Sequence, residues 1–150
     1  MLDTFEYINP TLADSIDNGY LFSTKYFPEL YGKAYDLLDG RVQKWDKHSI
    51  VAVLSKLVSN KLKDYVTEYE PDVIIGTHSY ACMLMTYLRE KEIVSCPLIG
   101  VVTDFTVHPF WESTDLDYYV TPDSLLDTQM RKKGIDSSKI LPFGIPIKSK

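Results

Sequence analysis

The sequence predicts an α/β fold with a Rossmann-like open parallel sheet and flanking helices. From Pro71 onward, short apolar runs bounded by turn residues alternate with segments of helical periodicity. Strands that a parallel sheet buries on both faces are apolar throughout, and strand–helix–strand units with short links form right-handed crossovers. The chain has 150 residues, which is enough for one domain with a sizeable core.

Four strands are predicted in this part of the chain. The apolar runs at residues 73–77 and 97–103 indicate two strands buried on both faces. Shorter strands are predicted at residues 118–120 and 140–142. Together these runs supply the strands of the parallel sheet.

Two helices are predicted between these strands. The first covers residues 81–90 and has a single apolar stripe. The second is predicted to begin with Thr121 as its N-cap and Pro122 in the first helical position. It is predicted to end at the basic residues 131–133, with Gly134 just past the last turn.

The front of the chain has a different pattern. Helical fragments without any strand are predicted at about residues 9–48, followed by a long amphipathic helix at residues 49–68. Residues 1–5 resemble the end of a strand whose beginning is absent, and residues 143–148 resemble an extended linker. We therefore expect a partial domain, cut at both ends, whose Rossmann-like part covers about residues 49–147.

Composition and motifs argue against several classes of function. The net charge of −5 disfavours nucleic acid binding, which needs a basic face. Cys82 and Cys96 have no partners at metal-ligand spacing and are expected to be buried thiols in a reducing cytosol. No run approaches the roughly 20 apolar residues that span a bilayer. A Walker loop, a G-x-S-x-G motif and a glycine-rich dinucleotide turn are all missing from the sequence.

Polar residues follow the first two strands, at the edge where open α/β sheets bind ligands. His78 suits general-base work or a hydrogen bond to a hydroxyl, or alternatively a structural bond within its loop. Asp104 suits orientation of an imidazole or acceptance of a substrate hydroxyl, or alternatively a turn. His108 lies in a rigid turn after Asp104. The two histidines are therefore expected on the same edge.

The loop after the second strand also carries Thr106 and two large aromatic residues, Phe110 and Trp111. If the two rings are exposed, they suit an acyl chain or the face of a sugar; if they are buried, they only plug the loop. From the residues alone, the prediction is an α/β domain with an edge lined by histidine and aspartate.

Several segments resemble a known family of glycolipid synthases. They are PDVIIGTHSYACMLMTYL, the segment that begins PLIGVVTDFTVHPFW, and the terminal GIPIK. These segments resemble the N-terminal domain of the monogalactosyldiacylglycerol synthase and bacterial diacylglycerol glucosyltransferase family. The similarity runs over about residues 2–147, and its most specific part extends from Val102 to Trp111.

The resemblance implies the N-terminal half of a two-domain GT-B glycosyltransferase. In the family, this domain receives the lipid acceptor, and a C-terminal domain, expected to be absent from this chain, holds the UDP-sugar. A hexose, galactose or glucose, passes to the primary hydroxyl of diacylglycerol with inversion, without a cofactor or an essential metal. The chain alone is expected to be inactive. The alternative is a non-catalytic lipid-binding or regulatory module that retains only the acceptor domain.

The resemblance also assigns roles to residues of the predicted edge. The candidate catalytic residues are His78, Asp104 and His108, although the family's favoured general base, a histidine in a glycine-rich loop, would precede Met1. The candidates for substrate and lipid binding are Thr106, Phe110 and Trp111.

Membrane contact is the role that the resemblance implies for the front helical region. The expected contact residues are Tyr20, Phe22, Lys25, Tyr26 and Phe27. The alternative is that most of these rings pack inward. The partners so implied are diacylglycerol, an anionic membrane surface and the C-terminal donor domain, without nucleic acid. The implied location is cytoplasmic, peripheral to the inner face of the membrane.

Overall fold

The computed structural model describes residue 2, residues 4–8 and residues 60–147. The chain divides into two compact units, Met1–Tyr65 and Val66–Lys150. The helical fragments predicted at residues 9–48, and the first part of the helix predicted at residues 49–68, lie outside the described residues.

The first unit contains a short helix, α1 (Thr4–Ile8). The prediction of an extended strand at residues 1–5 is wrong where the structure describes them. A strand needs a neighbouring strand to bond its backbone, and no strand described here pairs with this segment. A helix satisfies much of its backbone within the segment itself. The ring of Tyr7 lies 5.1 Å from that of Tyr65 in the same unit.

The second helix, α2 (Asn60–Tyr69), is the described part of the long amphipathic helix. Leu62 and Val66, four residues apart, are buried, whereas Lys61, Lys63 and Asp64 are exposed. Apolar residues at this spacing form one buried stripe along a helix. This part of the predicted helix is therefore confirmed in its position and in its amphipathic character.

Four parallel strands form the sheet of the second unit, in the order β1-β2-β3-β4. They are β1 (Ile74–Gly76), β2 (Leu98–Val101), β3 (Tyr118–Val120) and β4 (Ile140–Leu141). The predicted strands, and with them the α/β open parallel sheet, are confirmed. The prediction that the first strand is buried on both faces is wrong, because Val73 and Ile75 are 44% and 59% exposed. Because every pair is parallel, the carboxyl ends of all four strands lie at one edge.

The helix α3 (Ser79–Glu90) follows β1 and packs tightly against it. A Cβ atom added to Gly76 would lie only 2.5 Å from the Cys82 sulfur, so glycine permits this close approach. Burial raises the pKa of the Cys82 thiol to about 12, which keeps it protonated and unreactive. The prediction of a buried thiol is confirmed for Cys82, whereas Cys96 is only half-buried.

The helix after β3 begins later than predicted. Thr121 is fully buried and still extended, and its N–H donates to Leu141 O at 2.9 Å, next to β4. A helix cannot begin while the chain remains bonded into the sheet. The N-cap role falls to Asp123, whose carboxylate accepts from Leu125 N at 2.8 Å and starts a 3-10 turn, Ser124–Leu126. The prediction of Thr121 as the N-cap is therefore wrong.

The helix proper, α4 (Asp127–Lys132), ends as predicted. Gly134 has a φ of +81°, the left-handed conformation that glycine adopts without strain. Its N–H donates to Arg131 O at 3.0 Å, and the next N–H, of Ile135, donates to Met130 O at 3.2 Å. This pair of bonds is the Schellman motif. A last 3-10 turn, Ser137–Lys139, leads into β4.

Candidate functional site

His78 lies at the carboxyl end of β1 and caps the N-terminus of α3. Its Nδ1 accepts a hydrogen bond from Tyr80 N at 3.2 Å. The exposed imidazole is also stacked on the Tyr80 ring, with 5.5 Å between centroids and 9° between planes. This residue thus fixes the start of the helix that follows the first strand.

His108 has the same role in the segment that follows β2. It caps a 3-10 turn, Pro109–Ser113, and its Nδ1 accepts from Phe110 N at 3.2 Å. The half-buried imidazole lies 4.7 Å from the Phe110 ring. Proline in the first position of the turn needs no hydrogen-bond partner for its nitrogen, so the cap satisfies the next N–H.

The rings of Tyr80 and Phe110 connect the two histidines, in a row of four rings. The ring of Tyr80, which stacks on His78, lies 4.7 Å from that of Phe110, which in turn contacts His108. The structure therefore brings His78 and His108 together along one edge of the sheet. Tyr80 is the link that the sequence alone did not indicate.

The hydrogen bonds of the two imidazoles bear on what they can do chemically. In each ring Nδ1 accepts a backbone N–H, so the neutral ring carries its proton on Nε2. Nδ1 can take up a proton only by giving up the cap. This geometry favours structural capping over general-base work for both histidines.

Asp104 and Thr106 lie in the exposed loop between β2 and the His108 turn. The side-chain oxygen of Gln129, in α4, accepts from Val107 N at 3.1 Å and from Thr106 Oγ1 at 3.4 Å. Gln129 is separated from this loop by β3 and two 3-10 turns, and no local pattern marks it. Sequence reasoning therefore missed it.

Phe110 and Trp111 are buried, with 9% and 3% of their surface exposed. A Cβ atom added to Gly100 would lie 2.8 Å from Trp111 Cζ3, so the indole packs directly on the backbone of β2. The indole also lies edge-on to the Tyr119 ring, with 6.1 Å between the ring centroids. Their burial agrees with the alternative in which the two rings only fill the space beneath the loop. Neither ring presents a face to a ligand in this conformation.

Three exposed apolar residues also follow strands at this edge, and sequence reasoning missed them. Phe105, Leu125 and Phe143, which follow β2, β3 and β4 respectively, are 81%, 83% and 76% exposed. We call these three residues the apolar rim. The available signal was an apolar residue shortly after each of these three strands. Exposed apolar side chains at a strand-end edge are typical of a binding surface.

Two observations apply only to part of the chain. Within residues 60–147 and the short N-terminal segment, no group of three or more His, Cys, Asp or Glu side chains could hold a metal ion. Among the same residues, no helix is both long and apolar enough to span a bilayer. The predicted membrane-contact residues Tyr20, Phe22, Lys25, Tyr26 and Phe27 lie outside the described residues.

Comparisons with known proteins identify relatives at low identity. The chain is 27% identical over 146 residues to the uncharacterized glycosyltransferase YkoN of Bacillus subtilis (strain 168), covering 97% of this chain and 38% of that protein. It is 26% identical over 151 residues to processive diacylglycerol beta-glucosyltransferases of Bacillus thuringiensis (strain Al Hakam) and Bacillus mycoides (strain KBAB4). These matches cover 98% of this chain and 36% of each relative. The chain thus spans little more than a third of their length. No solved structure shows significant similarity to it.

A family model describes almost the whole chain. The model for monogalactosyldiacylglycerol (MGDG) synthase matches residues 1–147. That range includes every strand of the sheet and each residue of the candidate site. The chain therefore belongs to the monogalactosyldiacylglycerol synthase family, a family of glycolipid glycosyltransferases.

Proposed function

We propose that this chain is the acceptor-binding part of an enzyme that transfers a hexose from a UDP-sugar to diacylglycerol. The observation that carries the proposal is the carboxyl edge of the sheet, where exposed Asp104 and Thr106 and the residues of the apolar rim all follow strands. Diacylglycerol has one hydroxyl group and two acyl chains, so it needs such a mixed surface. The family and the names of the diacylglycerol glucosyltransferases support the same substrate class.

Within this proposal, Asp104 accepts a hydrogen bond from the primary hydroxyl of the lipid. A carboxylate only accepts hydrogen bonds, and one to a hydroxyl is short and strong. Thr106 lies two residues away and adds a hydroxyl to the same loop. His78 and His108 hold the two loops in place as caps, and the apolar rim contacts the acyl chains. Phe110 and Trp111 support the loop from beneath.

The UDP-sugar is proposed to bind to a second domain of a GT-B enzyme, opposite this edge. The absence of a glycine-rich phosphate-binding turn from this sequence supports that division. In the proposed reaction the lipid hydroxyl attacks the anomeric carbon with inversion, its proton passes to a base, and UDP leaves. Holding both reactants in one cleft can lower the barrier by about 7–11 kcal/mol.

Binding of a short-chain diacylglycerol tests the proposal. We expect dioctanoylglycerol to shift the amide NMR signals of Asp104, Thr106 and the apolar rim. Asp104→Asn should weaken binding about tenfold, because the hydroxyl then donates to a neutral amide oxygen instead of a charged carboxylate. Asp72→Asn, which changes an exposed carboxylate before β1, is the matched control and should bind like the wild type. Shifts confined to other surfaces, or no binding, would refute the proposal.

The proposal that the UDP-sugar binds to a second domain, and not to this chain, has its own test. The chain incubated with dioctanoylglycerol and radiolabelled UDP-glucose or UDP-galactose should form no labelled glycolipid, and UDP-glucose alone should leave the NMR spectrum unchanged. Labelled product would show that the donor site lies within these residues, contrary to the proposal.

A further inference from the structure

Helix α4 holds the segment between β2 and β3 at two points. The Gln129 side-chain oxygen accepts from Val107 N and Thr106 Oγ1, and Lys133 Nζ donates to Glu112 Oε1 at 3.0 Å. Gln129 lies in α4, and Lys133, the C-cap of this helix, follows it by four residues, so both side chains lie on the same side of the helix end. This side of α4 and its cap thus contact both the loop and the 3-10 turn that follows it.

The bond to Val107 is the one that fixes the middle of the loop. Val107 is buried, and a buried backbone N–H group without a hydrogen-bond partner lowers the free energy of unfolding, because it has lost its bond to water. The amide oxygen of Gln129 supplies that partner from outside the loop. At the start of the loop, Val102 N donates to Val120 O at 2.8 Å, and at its end Pro109 begins the 3-10 turn. Gln129 acts between these two fixed points.

The residues proposed to meet the acceptor are neighbours of this anchor. Thr106 bonds Gln129 directly, His108 follows Val107, and Asp104 precedes it by three residues. Two residues of the apolar rim adjoin these elements, since Phe105 precedes Thr106 and Leu125 lies in the 3-10 turn that leads into α4.

We propose that Gln129 is a positioning residue for the acceptor-binding loop, with the Lys133–Glu112 ion pair as a second anchor. Gln129 does not itself contact the lipid in this proposal; it keeps Asp104 and Thr106 in the conformation that binds the hydroxyl group. The proposal rests on the proposed function of this edge. It assigns α4, which carries none of the residues predicted to bind substrate, a role in acceptor affinity.

Three substitutions at one position separate this role from simple stabilisation. Gln129→Glu keeps an acceptor oxygen at the same reach, whereas Gln129→Met has similar length and no oxygen. Gln129→Asn keeps the amide but is one methylene shorter, and serves as a second test if the methionine variant does not fold. Lys132→Met changes an exposed side chain of the same helix and is the matched control. The whole 150-residue chain is used throughout.

Amide hydrogen exchange and dioctanoylglycerol affinity are the two measurements. In the methionine and asparagine variants we expect exchange at Val107 to accelerate about tenfold, exchange in β2 and β3 to stay unchanged, and lipid affinity to fall about tenfold. The glutamate variant and the Lys132 control should keep wild-type values. Equal behaviour of the methionine and glutamate variants, or a uniform rise in exchange throughout the sheet, would overturn the proposal.

The two proposals can fail separately. If the wild-type chain binds no diacylglycerol, the proposed function fails, and any role of Gln129 in acceptor binding fails with it. If the wild type binds the lipid and the methionine variant binds equally well, only the positioning role is overturned.

Discussion

At the residue scale, the two histidines show how one hydrogen bond restricts the chemistry of a side chain. Both imidazoles lie at strand ends, where sequence reasoning placed catalytic candidates, and both use Nδ1 to cap the next element. A cap and a proton acceptor need the same lone pair at that nitrogen. These hydrogen bonds favour the structural alternative for His78 and His108, whereas the side chain of Asp104 is exposed.

Substitutions of His78 test the capping role directly. His78→Ala removes the cap, whereas His78→Asn supplies a side-chain oxygen that can accept from Tyr80 N. Since asparagine is among the best N-cap residues, we expect the free energy of unfolding of the asparagine variant to exceed that of the alanine variant by about 1 kcal/mol. Urea denaturation at neutral pH measures this difference. Two variants of equal stability would show that the bond contributes nothing.

At the element scale, an arginine near the end of α3 links this helix to the amino end of the sheet. Arg89 donates to Cys96 O at 3.0 Å, to Asp115 O at 3.3 Å and to Asp117 Oδ2 at 2.6 Å. The same carboxylate oxygen accepts from Leu98 N at 2.7 Å, at the start of β2. The cluster joins one helix and two strands at the edge opposite the candidate site.

The ionisation of Asp117 should make part of this stability depend on pH. Partial burial acts to raise its pKa, but the Leu98 hydrogen bond and the Arg89 guanidinium outweigh this effect, and the net pKa lies below the usual 3.8. A carboxylate whose pKa is lowered by folding stabilises the folded state above its unfolded pKa. That contribution is lost as the pH falls below 3.8 through the folded-state pKa.

Asp117→Asn tests this pH dependence. At pH 7 we expect the variant to be less stable by about 1 kcal/mol, a modest value because the carboxylate is partly exposed. The difference from wild type should shrink as the pH falls from 4 towards 2. Urea unfolding at a series of pH values measures it, with Asp72→Asn as the control. A difference that persists at pH 2 would show that the effect comes from something other than the charge.

At the scale of the whole molecule, the chain combines an acidic balance with a lipid-directed family. Its net charge is −5 and its isoelectric point is about 5.1, so attraction to an anionic membrane must come from a local patch and not from the total charge. The proposed patch is the aromatic segment with Lys25, which remains a prediction from the sequence. Lysine stems can lie along apolar surface while their charges meet anionic headgroups.

Flotation with vesicles that contain phosphatidylglycerol tests this patch. We expect the chain to float with the vesicles and Phe22→Ser/Phe27→Ser to bind at least about a hundredfold more weakly, since each phenylalanine contributes roughly 1.5–3 kcal/mol when buried. The matched control replaces two exposed tyrosines elsewhere, Tyr69 and Tyr118, by serine. Equal binding by the wild type and the phenylalanine variant, or no binding by the wild type, would remove the membrane patch.

The sequence by itself determined the sheet, the positions of its strands and the end of α4. These features follow from local patterns, because apolar runs, helical periodicity and a glycine after a basic turn depend on residues close together in the chain. The family was also visible from sequence, since its specific motif lies in the continuous segment from Val102 to Trp111.

Only the tertiary structure decided which partners the side chains of the site have. It buried Trp111 against Gly100, engaged Nδ1 of His78 and His108 as caps, and brought Gln129 to the loop that carries Asp104. It also kept Thr121 bonded to Leu141, which delayed the start of a helix that local signals placed earlier. A polar group bonds the partner that folding brings within about 3 Å. The caps of His78 and His108 are local, whereas the partners of Gln129 and Thr121 lie on elements that are distant in the sequence.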